Sequence, residues 1–248
     1  PDRVPAGHHA LLGGAVVFFG THPETKRRFV VQSIEGGGWG GRPFEDGESG
    51  TVSVCQGDVR NGSIEGIELK CPVVVQSRAL RIDSCGAGKF RGGLGIDMQV
   101  KNLVEGKWNF EMPRRSKRPP WGIEGGTPGE PGGYLLKRPG EKSFTMMGGF
   151  HIPVVIGSEA IVRTGGGGGW GDPFDRPAEV VANDVAEGLI SAAAARKLYG
   201  VAVRGDMSLD EKATQKLRTR VGSAKKKPAA GKAGARTPGA RKAKRRSR

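Results

Sequence analysis

Short apolar runs separated by turn-forming residues recur along the first 163 residues of the chain. The runs at 15–19 and 29–34 flank a polar turn around His22, Pro23 and Glu24, a pattern that predicts a β-hairpin. Further strands are predicted at 51–55, 73–75, 96–100, 144–147, 153–156 and 159–163. The first two thirds of the chain are therefore predicted to be rich in β-structure.

The pattern changes to helix-forming signals after residue 174. Asp175 is a candidate N-cap for a first helix, with a proline and an acid in its first turn. Ser191 is predicted to cap a second helix at 192–198, which Gly200 ends. A third helix is predicted to begin with a capping box at Ser208. Together these signals predict an α+β fold, a β-rich domain with glycine loops and a short C-terminal helical segment.

Glycine accounts for 43 of the 248 residues, well above its usual share of about 7%. The glycines show no Gly-X-Y period, which excludes a collagen-like chain. The longest run, at 165–169, lies between a predicted strand and a predicted helix. Five residues without a Cβ permit a close approach that other residues block. The run is therefore either a surface for another molecule, such as a phosphate group, or a tightly packed seam inside the fold.

Two other glycine stretches have the outline of nucleotide-binding loops but lack their requirements. The stretch at 36–41 matches G-x-G-x-x-G, yet the residues that follow it read as a loop and not as a helix. Lys89 follows a glycine as in a phosphate-binding loop, but Phe90 stands where that motif needs Ser or Thr. Neither stretch predicts a bound nucleotide, and no cofactor is expected on this chain alone.

The net charge of +15 is concentrated at one end of the chain. Eleven Lys or Arg residues and no acid lie at 225–248, so residues 1–224 carry only +4. A tail of Lys, Arg, Ala, Gly and Pro cannot bury a core, and we expect it to be disordered. No recognition motif accompanies the tail, so nucleic acid is an unfavoured partner except through the tail itself.

The cysteines and the hydropathy of the sequence exclude several classes of protein. Three cysteines without a C-x-x-C pair predict neither a disulfide framework nor a zinc knuckle. The sequence contains no run of 18 apolar residues and no signal peptide, so a cytoplasmic protein without a membrane span is expected.

Charged and amide side chains cluster immediately after the predicted strand at 51–55. Asp58, Arg60 and Asn61 lie within four consecutive positions of one predicted turn. Side chains on a loop that follows a buried strand are well placed to form a site. The alternative is an internally satisfied turn, in which Asp58 accepts backbone hydrogen bonds and pairs with Arg60. The residues alone leave both interpretations open.

Several stretches in combination resemble the hydantoinase B family, the B-type subunits of ATP-dependent hydantoinases and 5-oxoprolinases, related to subunits of acetone and acetophenone carboxylases. The matching stretches lie at 51–61, 83–95, 119–122, 165–173, 184–191 and 199–201. The resemblance implies an enzyme that uses ATP to open a cyclic amide, or to carboxylate a ketone. It places ATP and Mg on a partner A-type subunit, and a divalent metal, Zn or Mn, on the N-terminal half of the B-type subunit.

The chain resembles only the C-terminal half of a B-type subunit. We assign residues 1–203 to that half, 204–222 to a terminal helix and 223–248 to the disordered tail. Expected partners are the A-type subunit and the N-terminal half of a B-type subunit, in a hetero-oligomer outside which the chain is inactive. Alternatives are a ketone carboxylase subunit and a non-catalytic interaction subunit whose basic tail attracts nucleic acid.

The resemblance also ranks candidate site residues. Asp58, Arg60 and Asn61 are the first candidates for substrate contact, followed by Arg91 and Asp172, and no catalytic residue is assigned.

The metal ligands of the family lie in the half that this chain does not match. His8, His9 and His22 fit no ligand motif, and Cys85 stands where the family usually has glycine. Beside the family pattern, the glycine run at 165–169 is predicted to pack closely and to bring Asp172 toward the shared site.

Overall fold

The computed structural model of the protein describes residues 3–9, 14–52, 62–110 and 118–225. Three predictions fall partly or wholly outside the described residues: the strand at 51–55 beyond Val52, the candidates Asp58, Arg60 and Asn61, and the disordered tail at 223–248 from residue 226 onward. Residues 223–225 of the predicted tail belong instead to the last helix, Glu211–Lys225. The described part contains nine β-strands and four α-helices, which confirms the α+β class.

The strands form two antiparallel sheets. They are β1 (Gly14–Thr21), β2 (Arg28–Glu35), β3 (Val73–Leu80), β4 (Ile96–Asn102), β5 (Gly106–Phe110), β6 (Gly133–Lys137), β7 (Thr145–Met147), β8 (Gly149–Val154) and β9 (Glu159–Arg163). The first sheet has the strand order β2-β1-β5-β8, and the second has the order β3-β4-β9-β6-β7. All pairings within both sheets are antiparallel.

The alternation of apolar and polar residues sets the register of the strands. The predicted hairpin is confirmed, since β1 pairs with β2 from Gly14 opposite Glu35 to Thr21 opposite Arg28. β4 was also correctly predicted, and its residues alternate strictly between buried and half-buried. The strand predicted at 153–156 is displaced, because β8 begins at Gly149 and ends at Val154.

The two sheets face each other across one apolar core. Phe18, Trp108 and Phe110 project from the first sheet, and each is 1% exposed or less. The rings of Phe18 and Trp108 meet edge to face with their centroids 5.3 Å apart, a favoured aromatic geometry. Tyr134 of the second sheet also links the sheets, because its hydroxyl accepts from the amide of Ala15 at 2.9 Å and donates to its carbonyl at 2.8 Å. The two sheets thus form a β-sandwich, and the buried hydroxyl of Tyr134 hydrogen-bonds the second sheet to the first.

The helices are α1 (Ile64–Lys70), α2 (Ala178–Ala186), α3 (Ala192–Tyr199) and α4 (Glu211–Lys225), with a 3-10 helix at Pro173–Asp175. Ile67 of α1 packs in the sandwich core, whereas α2 and α3 build a second, smaller core. Val181 and Val185 of α2 pack with Tyr199 of α3 against Leu94, which follows a glycine-rich loop. The C-terminal helices therefore cover the glycine loops and leave the sandwich core separate.

The caps of α3 are as predicted, while those of its neighbours are not. The Ser191 side chain accepts from the amide of Ala194, and Gly200 has φ 63°, the left-handed conformation that glycine favours. Asp175 does not cap α2, because it lies in the preceding 3-10 helix. The capping box at Ser208 is also wrong, since Asp210 accepts from the amide of Ala213 at the start of α4.

Helix α1 was not predicted from the sequence. Its side-chain cap is Ser63, which accepts from the amide of Gly66 at 3.0 Å. The helix has seven residues and only Ile67 is buried, so its sequence carries too short an apolar pattern to be distinguished from a loop.

Candidate functional site

Four glycine-rich segments and the N-terminal residues 6–9 meet along one line. We name them the first segment (36–41), the second segment (84–95), the third segment (120–130) and the central strand (165–171), and together with 6–9 they form the glycine assembly. The segments are joined by backbone hydrogen bonds and not by the two named sheets. The assembly therefore has to be understood through its backbone.

From Gly166 to Trp170, successive amides of the central strand donate to different neighbours with a period of three, and Gly171 then departs from it by donating to Ile123 of the third segment at 2.9 Å. Gly166 and Gly169 donate to carbonyls of the third segment at 3.0 and 2.9 Å. Gly167 and Trp170 donate to the second segment at 2.9 and 2.8 Å, and Gly168 donates to Gly7 at 2.7 Å. A backbone with three residues per turn, as in polyproline II, presents its amides in this way. The central strand is thus surrounded by other backbones.

The surrounding backbones leave no room for a side chain. A Cβ on Gly166 would lie 1.8 Å from the carbonyl oxygen of Ser84, and one on Gly167 would lie 1.8 Å from that of Trp39. At Gly168 and Gly169 the corresponding distances, to other carbonyl oxygens, are 2.0 and 2.1 Å. Close packing of this run, expected from the sequence, is confirmed.

The first-ranked candidates Asp58, Arg60 and Asn61 lie outside the described residues, and their contact with substrate stays a prediction. The described residues that precede them are held by the glycine assembly. Thr51 exchanges backbone hydrogen bonds with Gly37 at 2.8 and 3.0 Å, and the indole of Trp39 donates to the carbonyl of Val52 at 3.1 Å.

His9 and Thr51 lie together at the edge of the assembly. His9 is 1% exposed, and its Nε2 lies 2.7 Å from the carbonyl oxygen of Thr51. The contact attaches the N-terminal residues to the stretch that leads to the predicted loop. Sequence reasoning missed this contact, because the two residues are 42 positions apart.

A buried ion pair contacts Gly62, the first described residue after the first-ranked candidates. The guanidinium of Arg78 donates to Glu35 from Nε at 2.9 Å and contacts it through Nη2 at 2.7 Å, and Nη1 donates to the carbonyl of Gly62 at 3.2 Å. Glu35 is 0% exposed, and Ser33 donates to it at 3.1 Å. Burial raises the pKa of Glu35, and the charge of Arg78 opposes that rise.

Glu35 and Arg78 were missed by sequence reasoning, although β2 contains a signal. Buried and more exposed positions alternate towards the end of β2, and Glu35 occupies an inward one. An acid in the inward phase of a strand requires a buried partner, since an unpaired buried charge is costly. Such perturbed carboxyl groups are also common in functional sites.

Arg91, a second-ranked candidate, belongs to a charged cluster with Asp46, Arg176 and Asp184. Arg176 lies 2.7 and 2.8 Å from the two carboxylate oxygens of Asp46, and 2.8 and 3.0 Å from Asp184. Arg91 Nε lies 3.3 Å from Asp184. Burial alone would lower the pKa of Arg176, but its hydrogen bonds and the two acids outweigh burial and raise it.

The charged cluster joins parts of the chain that are distant in sequence. Asp46 follows the first segment, Arg91 lies in the second segment, and Asp184 lies in α2. Arg91 therefore has a structural role that its partners define, and its contact with substrate stays a prediction. The inward position of Asp184 among the apolar residues of α2 was the available signal for this cluster.

Asp172 also has a defined local role. It follows the central strand and accepts from the amide of Phe174 at 3.0 Å, which caps the 3-10 helix. The geometry places Asp172 at the end of the central strand, and a role in substrate contact stays a prediction.

Aromatic side chains lie beside the first and third segments. The guanidinium carbon of Arg42 lies 5.6 Å from the ring centroid of Trp39. The ring centroids of His8 and Trp39 are 6.2 Å apart. Trp121 of the third segment is 52% exposed. We call His8, Trp39, Arg42 and Trp121 the aromatic rim. Its aromatic faces and its cation suit contacts with planar or apolar groups.

The described residues do not provide a metal site. Among residues 3–9, 14–52, 62–110 and 118–225, no three His, Cys, Asp or Glu residues are grouped so that they could hold a metal ion. The metal that the family resemblance implies is therefore assigned no step on this chain. No helix in the described part of the chain is long and apolar enough to cross a membrane.

Comparisons with known proteins agree with the fold and the motifs. The family model described as hydantoinase B/oxoprolinase matches residues 1–173. Caprolactamase subunit beta of Pseudomonas jessenii is 32% identical over 225 residues, which cover 86% of this chain and 38% of that protein. The chain thus spans well under half the length of this relative.

Two solved structures are similar in fold. The ATP-dependent caprolactamase from Pseudomonas jessenii matches with a TM-score of 0.76 and 28% identity, over 88% of this chain and 39% of that one. Nucleotide-free acetone carboxylase matches with a TM-score of 0.77 and 23% identity, over 92% of this chain and 35% of that one. At that lower identity, the second likeness concerns the fold alone.

Proposed function

Since the chain belongs to the hydantoinase B/oxoprolinase family, we propose that it is part of an ATP-dependent cyclic-amide hydrolase of the hydantoinase or 5-oxoprolinase type. It acts with an A-type ATPase subunit and with the N-terminal half of a B-type subunit. An amide is a poor electrophile, and phosphorylation of its oxygen by ATP makes the ring carbon reactive enough for water to add. The C–N bond then breaks with the nitrogen leaving as the amine, and hydrolysis of the resulting acyl phosphate releases the carboxylate and phosphate. ATP and Mg belong to the A-type subunit, and a divalent metal, Zn or Mn, belongs to the N-terminal half.

The observation that carries the proposal is the similarity to a lactam-opening enzyme. Caprolactamase subunit beta is 32% identical and extends over 86% of this chain, and the solved caprolactamase is similar in fold as well. The match to acetone carboxylase has the lower identity of 23%. Ring opening is therefore favoured over ketone carboxylation.

In this proposal the chain supplies a wall of the active site. The glycine assembly fixes the backbone to which the aromatic rim is attached, and backbone packing keeps that wall rigid. Asp58, Arg60 and Asn61 contact the substrate from the turn predicted after the strand at 51–55. Arg78, paired with Glu35, donates to the carbonyl of Gly62, the first described residue after these candidates.

Reconstitution tests the proposal. The full chain is combined with an A-type subunit and an N-terminal B-type half, and hydantoin, 5-oxoproline and caprolactam are offered with ATP. We expect ring-opened product and ADP from at least one lactam in the complete mixture, and neither from this chain alone. Robust lactam hydrolysis by the isolated chain would contradict the assignment.

Ketone carboxylation is the second candidate function, supported by the similarity to the acetone carboxylase alpha subunit of Xanthobacter autotrophicus, which is 26% identical over 77% of this chain and 30% of that protein. The same mixtures are offered acetone with bicarbonate and ATP, and acetoacetate is measured. Acetoacetate formation without lactam hydrolysis would replace the first proposal with this one.

A further inference from the structure

The net charge of the protein lies entirely in one stretch, residues 212–248, which we call the basic segment. It contains 15 of the 40 Lys and Arg residues and none of the 25 Asp and Glu residues. The remaining 25 cations equal the acids in number, so residues 1–211 are formally neutral. The glycine assembly, the charged cluster and the aromatic rim contain no residue of the basic segment. Its charge therefore needs an explanation of its own.

Helix α4 is the described part of the basic segment, and one of its faces is already held by the rest of the protein. Thr214 is 5% exposed, and its hydroxyl accepts from the amide of Ala202 at 3.0 Å. The guanidinium of Arg218 donates to the carbonyls of Arg176 and Tyr199 at 2.7 and 3.3 Å. The helix is thus fixed to the second core through Thr214 and Arg218.

The other face of α4 is cationic. Lys212 and Lys216 are exposed and lie one helical turn apart, so they occupy the same side of the helix. Within the described ranges of the chain, neither lysine forms a salt bridge. Eleven more cations and no acid follow from Lys225 to residue 248. The exposed lysines of α4 therefore open an acid-free run that continues to the end of the basic segment.

We propose that the basic segment binds the phosphate backbone of double-stranded nucleic acid. A duplex carries one negative charge per about 1.7 Å of helix axis, and Lys and Arg bind it by releasing condensed counterions. Runs of like charge without acids are typical of interaction tails, including basic arms that contact nucleic acid. This binding is a further function of the chain and does not depend on the hydrolase function proposed above.

The composition of the basic segment favours a duplex over other polyanions. Proteins that bind single strands stack the bases on aromatic side chains, and no Phe, Tyr or Trp follows Tyr199. Helices that lie on membranes bury large apolar side chains, whereas beyond Val221 the uncharged residues are only Gly, Ala, Ser, Thr and Pro. An extended acidic peptide has at most one charge per about 3.3 Å, about half the linear charge density of a duplex.

The same composition predicts binding without a preference for sequence. Contacts to phosphates position a protein on a duplex but carry no sequence information. We therefore expect duplexes rich in A·T and duplexes rich in G·C to bind with affinities within about threefold of each other.

Salt titration of the full chain tests the proposal. Labelled DNA and RNA duplexes of about 30 base pairs are titrated with the chain from about 50 to about 300 mM salt, and the affinity is measured by fluorescence anisotropy. We expect the logarithm of the affinity to fall with the logarithm of the salt concentration, with a slope of about −6 or steeper for DNA. Binding of either duplex with a steep slope supports the proposal, and the tighter one identifies the nucleic acid.

Two neutralised variants of the full chain assign the binding to the basic segment. The α4 variant carries Lys212→Gln with Lys216→Gln, and it should reduce the magnitude of the slope by about 1–2. A second variant should reduce the magnitude by about 3–4, because it removes four cations near the end of the segment. Its substitutions are Lys242→Gln, Lys244→Gln, Arg245→Gln and Arg246→Gln.

The matched control for the α4 variant is Lys107→Gln with Lys142→Gln. Both lysines are exposed and lie outside the basic segment, so the net charge changes equally. We expect the slope of the control to stay within about 0.5 of that of the unmodified chain. Equal slopes for the control and for both neutralised variants would place the binding elsewhere and overturn the proposal.

Three further results would also overturn the proposal. Absence of duplex binding at about 150 mM salt with up to about 100 μM chain would leave the basic segment a solvated stretch. Tighter binding to phosphatidylserine vesicles or to polyglutamate than to a duplex of equal total charge would make a membrane or an acidic protein the partner. Tighter binding to single strands than to duplexes would contradict recognition of the duplex backbone. Each result is obtained on the chain alone, so it leaves the proposed hydrolase function untouched.

Discussion

The sandwich core and the glycine assembly are stabilised in opposite ways. In the sandwich, large side chains such as Trp108 and Phe18 fill the space between two sheets. In the glycine assembly, backbones contact each other directly, and a Cβ on Gly167 would lie 1.8 Å from a carbonyl oxygen. The sandwich is therefore stabilised by large side chains that fill the space between its sheets. The glycine assembly instead requires residues without a side chain.

The difference predicts how each region responds to substitution. A packed apolar core tolerates exchanges of similar volume at a cost below about 1.5 kcal/mol. A backbone contact cannot be relieved by a change of rotamer, because the obstructing atoms belong to the main chain. The glycine assembly should therefore be the less tolerant region, although it buries fewer large side chains.

Gly167→Ala gives the largest expected effect. The added methyl group would overlap the carbonyl of Trp39 at 1.8 Å, so either the first segment or the central strand has to move. We expect a loss of at least about 4 kcal/mol of unfolding free energy, or insoluble protein. Urea unfolding of the purified chain measures this loss.

The matched control for Gly167 is Gly205→Ala. A Cβ at Gly205 has no neighbour within 4 Å, so a change within about 0.5 kcal/mol is expected. Equal unfolding midpoints for the two alanine variants would remove the distinction between the two regions.

Arg176→Ala is expected to have the second largest effect. Arg176 is 3% exposed and bridges Asp46 and Asp184, so its removal leaves the buried Asp184 and the partly exposed Asp46 without their shared cation. We expect a loss of about 3–5 kcal/mol of unfolding free energy. Arg138→Ala, which breaks a more exposed pair with Glu141, should cost at most about 1 kcal/mol. Similar losses for the two variants would contradict a clamping role for the charged cluster.

Met98 tests the sandwich. Met98→Ala removes a side chain that is 0% exposed, and we expect a loss of about 2–5 kcal/mol. Met98→Leu keeps the volume and should cost less than about 1.5 kcal/mol. If the leucine variant were as unstable as Gly167→Ala, the sandwich would be no more tolerant than the assembly.

The smallest expected effect is the pH dependence that Glu35 adds. Because burial raises its folded-state pKa above the ordinary 4.5, the folded protein holds this proton to higher pH than the unfolded chain does. Relative to Glu35→Gln, the unmodified protein should lose stability as pH rises from about 4.5 through the raised pKa. Urea unfolding of both proteins across that range measures the difference, and a rise with pH would contradict it.

Sequence reasoning succeeded at several features in which a residue acts through its neighbours in the chain, although the local caps predicted at Asp175 and Ser208 were wrong. The β1–β2 hairpin follows from alternation around a polar turn, and the ends of α3 follow from Ser191 and Gly200. The α+β class follows from the order of these elements. In each case the controlling contacts span only a few residues, which a single sequence reveals.

Sequence reasoning was incomplete where contacts join distant residues. The glycine runs were evident, but their partners were not, because the period-three hydrogen bonds join the central strand to Gly7 and to the second and third segments. Arg91 was ranked as a site candidate through the family resemblance, whereas its partner Asp184 lies 93 positions away. Three-dimensional packing, and not local pattern, decides such roles.

The most direct test of the proposed function is the coupling between ATP use and ring opening when only this chain is varied. An A-type subunit and an N-terminal B-type half are mixed with a cyclic amide and ATP, with and without the full chain, and ADP and ring-opened product are counted together. We predict that product appears only when the chain is present and that it rises in step with ADP. Equal ring opening without the chain would contradict its assignment to the hydrolase.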